Sequence, residues 1–105
     1  MFYVYNLQSC TWAEWRDTSI PLVDDFAYAF DSRNAILWVF GGFLDGVKSN
    51  LLMSIDLNNK RVVRVSEDTP EGTRYASRLP SQRTGARMVF HEQSDSLIIF
   101  GGTSR

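Results

Sequence analysis

The amino-acid sequence predicts an all-β protein made of short antiparallel strands. Short runs of apolar, aromatic and β-branched residues alternate with turn dipeptides along the whole chain. No apolar i, i+3, i+4, i+7 pattern lasts long enough to predict a helix. Aromatic residues make up 13% of the chain, with three Trp and four Tyr, and such residues favour strands.

Eight strands are predicted in chain order, separated by turn signals such as Asp45-Gly46 and Asn58-Asn59. They cover residues 2–5, 11–15, 26–30, 35–40, 51–57, 61–65, 87–91 and 97–100. The runs at 35–40 and 97–100 are almost continuously apolar. This pattern is typical of strands that are covered on both faces, so we expect them at the centre of sheets.

The chain also repeats itself. Residues 26–42 superpose on residues 86–102 without a gap, and both segments end in Gly-Gly. A second match aligns Tyr5 and Trp12 with Ile55 and Val62, with six residues between the two members of each pair. Because both matches occur in the same order, they indicate one four-stranded unit per period.

These residues resemble the Kelch repeat family of β-propellers. The family pattern has Gly-Gly after the second strand of a blade, matched here by Gly41-Gly42 and Gly101-Gly102. A Tyr in the third strand and a Trp in the fourth are matched by Tyr5 and Trp12. In the second unit Ile55 and Val62 replace this aromatic pair. The resemblance implies antiparallel four-stranded propeller blades.

On this resemblance the chain divides into an incomplete ring of half blade, full blade and half blade. Residues 1–15 form strands 3 and 4 of one blade, residues 23–65 a complete blade, and residues 83–102 strands 1 and 2 of the next. A propeller closes with about four to eight blades. We therefore expect a longer chain, further copies of this chain, or another protein to supply the remaining blades.

Composition and residue spacing argue against an enzyme. The net charge of −1, from 11 basic and 12 acidic residues, does not favour nucleic-acid binding. Cys10 and His91 are the single cysteine and histidine, so no cysteine zinc cage or nucleophile–histidine set is predicted. Asp24 and Asp25 are adjacent and point to opposite sides of an extended chain. We expect no catalytic residue, no metal and no cofactor.

The first residues lack the pattern of a signal peptide, and no apolar run approaches the roughly 20 residues of a membrane span. We expect a cytoplasmic protein without membrane contact. Two of the tryptophans, Trp12 and Trp38, are predicted to fill the core between blades. Trp15, at a strand end, is predicted to be more open.

Long loops are expected on one face of the propeller, at residues 16–23, 43–49 and 66–82, and short turns on the other, at 31–34, 58–60 and 92–96. Binding residues concentrate on long loops held by a rigid scaffold. The candidate binding residues on the loop face are Phe43, Lys48, Arg74, Tyr75 and Arg78. Arg and Tyr are frequent interface anchors, so an acidic or phosphorylated peptide is the candidate ligand. Glu67, Asp68 and Glu71 partly neutralise this face, and a merely solvated loop is the alternative.

The resemblance therefore favours a protein–protein interaction or scaffolding module that binds a protein partner through its loop face. The principal alternative is a structural segment or subunit that completes a split propeller, by self-association or by complementation from another propeller segment. A carbohydrate-active Kelch-type enzyme is the third hypothesis. It would need Tyr, His and Cys ligands that one histidine and one cysteine do not supply.

Overall fold

The computed structural model describes residues 2–17, 19–67 and 79–104. Within these residues the protein is all-β, with no helix and with every strand pair antiparallel. The strands are β1 (Phe2–Asn6), β2 (Thr11–Trp15), β3 (Val23–Asp24), β4 (Ala27–Asp31), β5 (Ile36–Phe40), β6 (Phe43–Leu44), β7 (Val47–Lys48), β8 (Leu52–Asp56), β9 (Arg61–Ser66), β10 (Arg87–His91) and β11 (Ser96–Phe100).

A four-stranded sheet, in the order β4-β5-β8-β9, forms the centre of the molecule. Its strands follow one another as an antiparallel meander, interrupted only by the short β6–β7 hairpin between β5 and β8. The register is regular from β4 to β8, and a bulge between Leu52 and Met53 shifts the pairing with β9. Alternate residues of each strand therefore lie on opposite faces.

We call the two faces of the central sheet face A and face B. Face A carries Leu37, Val39, Met53 and Ile55, and face B carries Ala27, Ala29, Trp38 and Phe40. Because both faces of β5 are apolar, its sequence shows no polar alternation. The predicted central position of this strand is confirmed. The same prediction for residues 97–100 is wrong, because among the described residues β11 pairs only with β10.

The N-terminal hairpin, β1–β2, packs on face A. Its Trp15 is buried there beside Val39 and Met53, and the ring of Phe2 stacks on Trp15 with centroids 4.7 Å apart. The indole and phenyl rings are thus the anchor of this hairpin. Burial of one such aromatic side chain contributes roughly 3 kcal/mol.

The C-terminal hairpin, β10–β11, packs on face B. Ala86 and Met88 are buried against Ala27 and Ala29, with partly buried Phe90, Leu97 and Ile99 around them. The small alanine side chains let β10 approach β4 closely. The molecule is thus a stack of three sheets, with the four-stranded sheet in the middle.

The repeated segments occupy equivalent structural positions. Ala27 pairs with Phe40 in the central sheet, and their matched residues Arg87 and Phe100 pair in the C-terminal hairpin. The second match behaves likewise, since Tyr5 pairs directly with Trp12 and Ile55 with Val62. In both cases the six intervening residues are one further pair of strand residues and a four-residue turn.

The double glycines close the second strand of each unit and adopt left-handed backbone conformations. Gly42 has a φ of 89°, and a Cβ at this position would lie 2.3 Å from the Asp24 carbonyl oxygen. Gly102 also has a φ of 89°, and its Cβ would lie 2.8 Å from the Thr84 carbonyl oxygen. Glycine is required because the backbone leaves no room for a side chain.

All eight predicted strands are present, and no strand end differs from its predicted position by more than one residue. The sequence analysis missed three two-residue strands, β3, β6 and β7, in segments predicted to be loops. The prediction for two tryptophans was wrong. Trp12 is 70% exposed on the outer side of the N-terminal hairpin, whereas Trp15 is buried, because Trp15 shares the inner side with Phe2. Trp38 is half-buried on face B.

Candidate interaction surfaces

The predicted loop at residues 43–49 contains the β6–β7 hairpin, which lies at one end of the central sheet. Its two-residue turn consists of Asp45 and Gly46, with φ values of 52° and 81°. Positive φ at both positions is what a type I′ hairpin turn requires. The hairpin therefore has a defined shape and is not a loose connection.

The segment that precedes β4 holds this hairpin from one side. Val23 pairs with Leu44 and Asp24 pairs with Phe43, which makes a three-stranded sheet in the order β3-β6-β7. The hydrophobic side chains of Val23 and Leu44 also contact the core on face A. The hairpin is thus anchored to the same core as the central sheet.

The segment that precedes β10 holds the hairpin from the other side. The Gly42 amide donates to the Arg83 carbonyl at 2.9 Å, and the Arg83 amide donates to the Ser49 carbonyl at 3.1 Å. The Lys48 ammonium donates to the Thr103 carbonyl at 3.1 Å. Asn50, which is buried, donates its side-chain amide to the Pro80 carbonyl at 3.1 Å. We call the surface formed by residues 43–48 and 80–84 the hairpin face.

Two of the five candidate binding residues meet on the hairpin face. Phe43 and Lys48 are directly paired across β6 and β7, and both are half-buried. A shallow pocket of about 160 Å³ lies beside Lys48, and Asn50 and Glu67 are among the other residues that line it. The pocket therefore combines an ammonium group with a carboxylate. Arg74, Tyr75 and Arg78 lie outside the described residues.

Sequence reasoning missed the part that Arg83 plays on the hairpin face. Its backbone bridges Gly42 and Ser49, and its guanidinium donates to the Gly101 carbonyl at 3.1 Å. In the sequence Arg83 stands 18 residues before the second double glycine, and such a separation does not predict that the two are in contact.

The opposite end of the molecule carries compact turns, as predicted. Four-residue turns close four hairpins, and the last residue of each has a positive φ: Cys10, Ala35, Lys60 and Asp95. The carboxylate of Asp31 accepts hydrogen bonds from the Asn34 side chain at 2.8 Å and the Arg33 amide at 3.0 Å. These bonds, that of Asn34 first, lower the pKa of Asp31 below its ordinary value. The polar groups of this turn therefore form hydrogen bonds with one another.

The residues considered for catalysis occupy structural positions. The Asp25 carbonyl accepts a hydrogen bond from Gly85 at 3.0 Å, and Asp24 pairs with Phe43. His91 ends β10, with its Nδ1 2.6 Å from the Ser94 hydroxyl oxygen, and Cys10 is an exposed turn residue. In the part of the chain that the structure describes, no group of three metal-ligating side chains comes together. The same residues include no helix long and apolar enough to cross a membrane.

In the part of the chain that the structure describes, the exposed apolar side chains of the three stacked sheets include four groups, each defined by the side on which it lies. The outer side of the N-terminal hairpin bears Tyr3, Tyr5 and Trp12, and the outer side of the C-terminal hairpin bears Val89, Ile98 and Phe100. Each hairpin also covers only part of the central sheet. Tyr28 and Phe30 remain exposed on face A, and Val63 remains exposed on face B.

A scan of the chain against protein-family models finds no match, and a search of curated proteins likewise finds none.

Proposed function

We propose that the chain is a protein-interaction module built of Kelch-type propeller blades, and that it binds an acidic segment of a protein partner on the hairpin face. The anchoring of the β6–β7 hairpin is the observation that carries this proposal. Backbone hydrogen bonds hold it to the segments before β4 and before β10. A surface held in this way loses little conformational entropy when a partner binds.

The chemistry of the hairpin face supports a peptide ligand with negative charge. Lys48 provides an ammonium group next to a small polar pocket, and Phe43 provides an apolar surface directly across from it. A peptide would use both groups if its acidic side chain paired with the Lys48 ammonium and a neighbouring apolar side chain packed on Phe43. Glu67 in the same pocket limits the strength of the attraction, so we expect a modest affinity.

Binding of a labelled Glu-rich peptide, measured by fluorescence anisotropy, tests this proposal. We expect Lys48→Gln to weaken binding about two- to fivefold, the range for one exposed ion pair. Lys60→Gln is the matched control because it makes the same charge change in a turn at the opposite end. Equal weakening by both variants, or equal binding of a Gln-rich peptide, would contradict the proposal.

A second function, structural completion of a larger β-assembly, is favoured by the exposed sheet surfaces. Soluble monomers rarely leave large contiguous apolar patches in water, and such patches mark interaction sites. Here exposed apolar side chains lie on the outer sides of both hairpins, and Tyr28, Phe30 and Val63 are exposed on the faces of the central sheet. A subunit whose sheets are completed by another polypeptide would cover them.

A further inference from the structure

β1 and β11 each have an unpaired edge in the part of the chain that the structure describes. Among the described residues β1 pairs only with β2, and β11 pairs only with β10. Neither strand carries a charged residue, since β1 reads FYVYN and β11 reads SLIIF. Free edges in soluble proteins are commonly protected by charges, proline or bulges. Uncharged, regular edges of this kind are suited to pairing with another strand.

The central sheet provides a template for that pairing. By the internal repeat, β11 is equivalent to β5 and β1 is equivalent to β8, and β5 and β8 are neighbours in the central sheet. Their register pairs Leu37 with Ile55 and Trp38 with Ser54. Transferred through the repeat, this register pairs Leu97 with Tyr5 and Ile98 with Val4.

We propose that β11 of one copy of this chain pairs antiparallel with β1 of a second copy, in the register of β5 and β8. The result is a composite four-stranded sheet in the order β10-β11-β1-β2, whose first two strands come from one copy and last two from the other. This proposal rests on the second function above, structural completion, and not on peptide binding at the hairpin face.

The faces of the sheets support a second copy of this chain as the partner that pairs with β11. In the proposed register, the strands of the second copy extend the packing that the C-terminal hairpin already makes on face B. In the composite sheet Leu97 and Ile99, which pack on face B of the first copy, lie beside Tyr5 and Tyr3 of the second copy. That places the exposed aromatic side of the second N-terminal hairpin over the uncovered part of face B, where Val63 is 41% exposed.

The other side of the composite sheet matches in the same way. Ile98 and Phe100 of the first copy lie beside Val4 and Phe2 of the second, and Phe2 already packs on face A. The exposed side of the first C-terminal hairpin is thereby placed over Tyr28 and Phe30 of the second copy. A groove of about 360 Å³ also lies on face A, where Phe2, Phe26, Leu37 and Met53 are among the residues that line it. One register thus covers all four exposed groups.

Pairing of β11 with β1 cannot occur inside one copy. The two hairpins pack on opposite faces of the central sheet, and packed sheets lie about 10 Å apart. The contact is therefore between copies and joins two different surfaces, so it closes into a ring where the rotation between copies allows and otherwise extends into a filament.

Disulfide cross-linking tests the register directly. In a Cys10→Ser background, Val4→Cys is mixed with isotope-labelled Ile98→Cys, and both positions are about half exposed, at 49% and 47%. Directly paired residues lie within disulfide range, whereas Cα atoms more than about 7 Å apart do not. Val89→Cys, which is 48% exposed on the same side but one strand further away, is the matched control for Ile98→Cys.

We expect mass spectrometry to show a disulfide between Val4→Cys and Ile98→Cys chains and at most a trace with Val89→Cys. Equal yields with both, or a predominance of Val4→Cys homodimers, would overturn the proposal.

Hydrogen exchange of the unmodified chain is an independent readout. Amide protection in β1 and β11 should rise with protein concentration, and concentration-independent exchange would overturn the proposal. Peptide binding that depends on Lys48 is unaffected by either result.

Discussion

At the scale of single residues, backbone geometry explains why particular amino acids stand at the ends of the strands. Gly41 and Gly42 could be predicted from the sequence because the Gly-Gly pair recurs at Gly101 and Gly102 after a matched strand. In the structure both glycines have positive φ values. The burial of Trp15 in place of Trp12 could not be predicted, because hydrophobicity does not tell which side of a two-stranded hairpin meets the neighbouring sheet.

We expect Gly42→Ala to lower the free energy of unfolding by about 2–4 kcal/mol. A left-handed residue with a Cβ costs about 1–2 kcal/mol, and the Asp24 carbonyl oxygen would be displaced as well. Gly46→Ala is the matched control, since its φ is also positive but nothing lies within 4 Å. It should cost about 1 kcal/mol. Urea unfolding measures both, and equal losses would contradict the crowded site at Gly42.

The Asp31 turn predicts a pH-dependent stability. Hydrogen bonds from Asn34 and Arg33 lower the pKa of Asp31 in the folded state. The stabilisation that these hydrogen bonds give the folded state is therefore complete above the pKa of an unfolded aspartate, about 3.9. It is lost as the pH falls through the lower pKa of Asp31 in the folded state. Asp31→Asn should be less stable than the parent chain at pH 7, and the difference should shrink below pH 4. A difference independent of pH in unfolding experiments would contradict this cause.

At the scale of elements, each outer hairpin is held by one apolar side against a four-stranded sheet. The eight longer strands could be predicted from runs of apolar residues and turn signals. The two-residue strands β3, β6 and β7 could not, because two residues have no periodicity and their pairing depends on distant segments. For the same reason the sequence predicted a loop face with Phe43 and Lys48 but not their direct pairing.

We expect Trp15→Ala to lower the free energy of unfolding by about 3–5 kcal/mol, the usual cost of removing a buried Trp side chain. Trp12→Ala is the control on the same strand, with its side chain 70% exposed. At low protein concentration its effect should be well below that of Trp15→Ala. Denaturant unfolding followed by circular dichroism compares the two. A larger loss for Trp12→Ala would contradict the packing of β1–β2 on face A.

At the scale of the whole molecule, the central sheet is covered by only half a neighbouring sheet on each face. The N-terminal hairpin leaves Tyr28 and Phe30 exposed on face A, and the C-terminal hairpin leaves Val63 exposed on face B. The repeat made the order of the sheets predictable. It could not predict which surfaces stay open, since that depends on how far each hairpin extends over its neighbour.

The most direct measurement of the central claim, that these open surfaces are completed by further copies, is the mass of the chain in solution. Sedimentation equilibrium over a range of concentrations, with circular dichroism on the same samples, provides it. The account predicts a folded, β-rich assembly whose mass is a multiple of 12.0 kDa and which dissociates on dilution. A well-folded monomer at every concentration would contradict it.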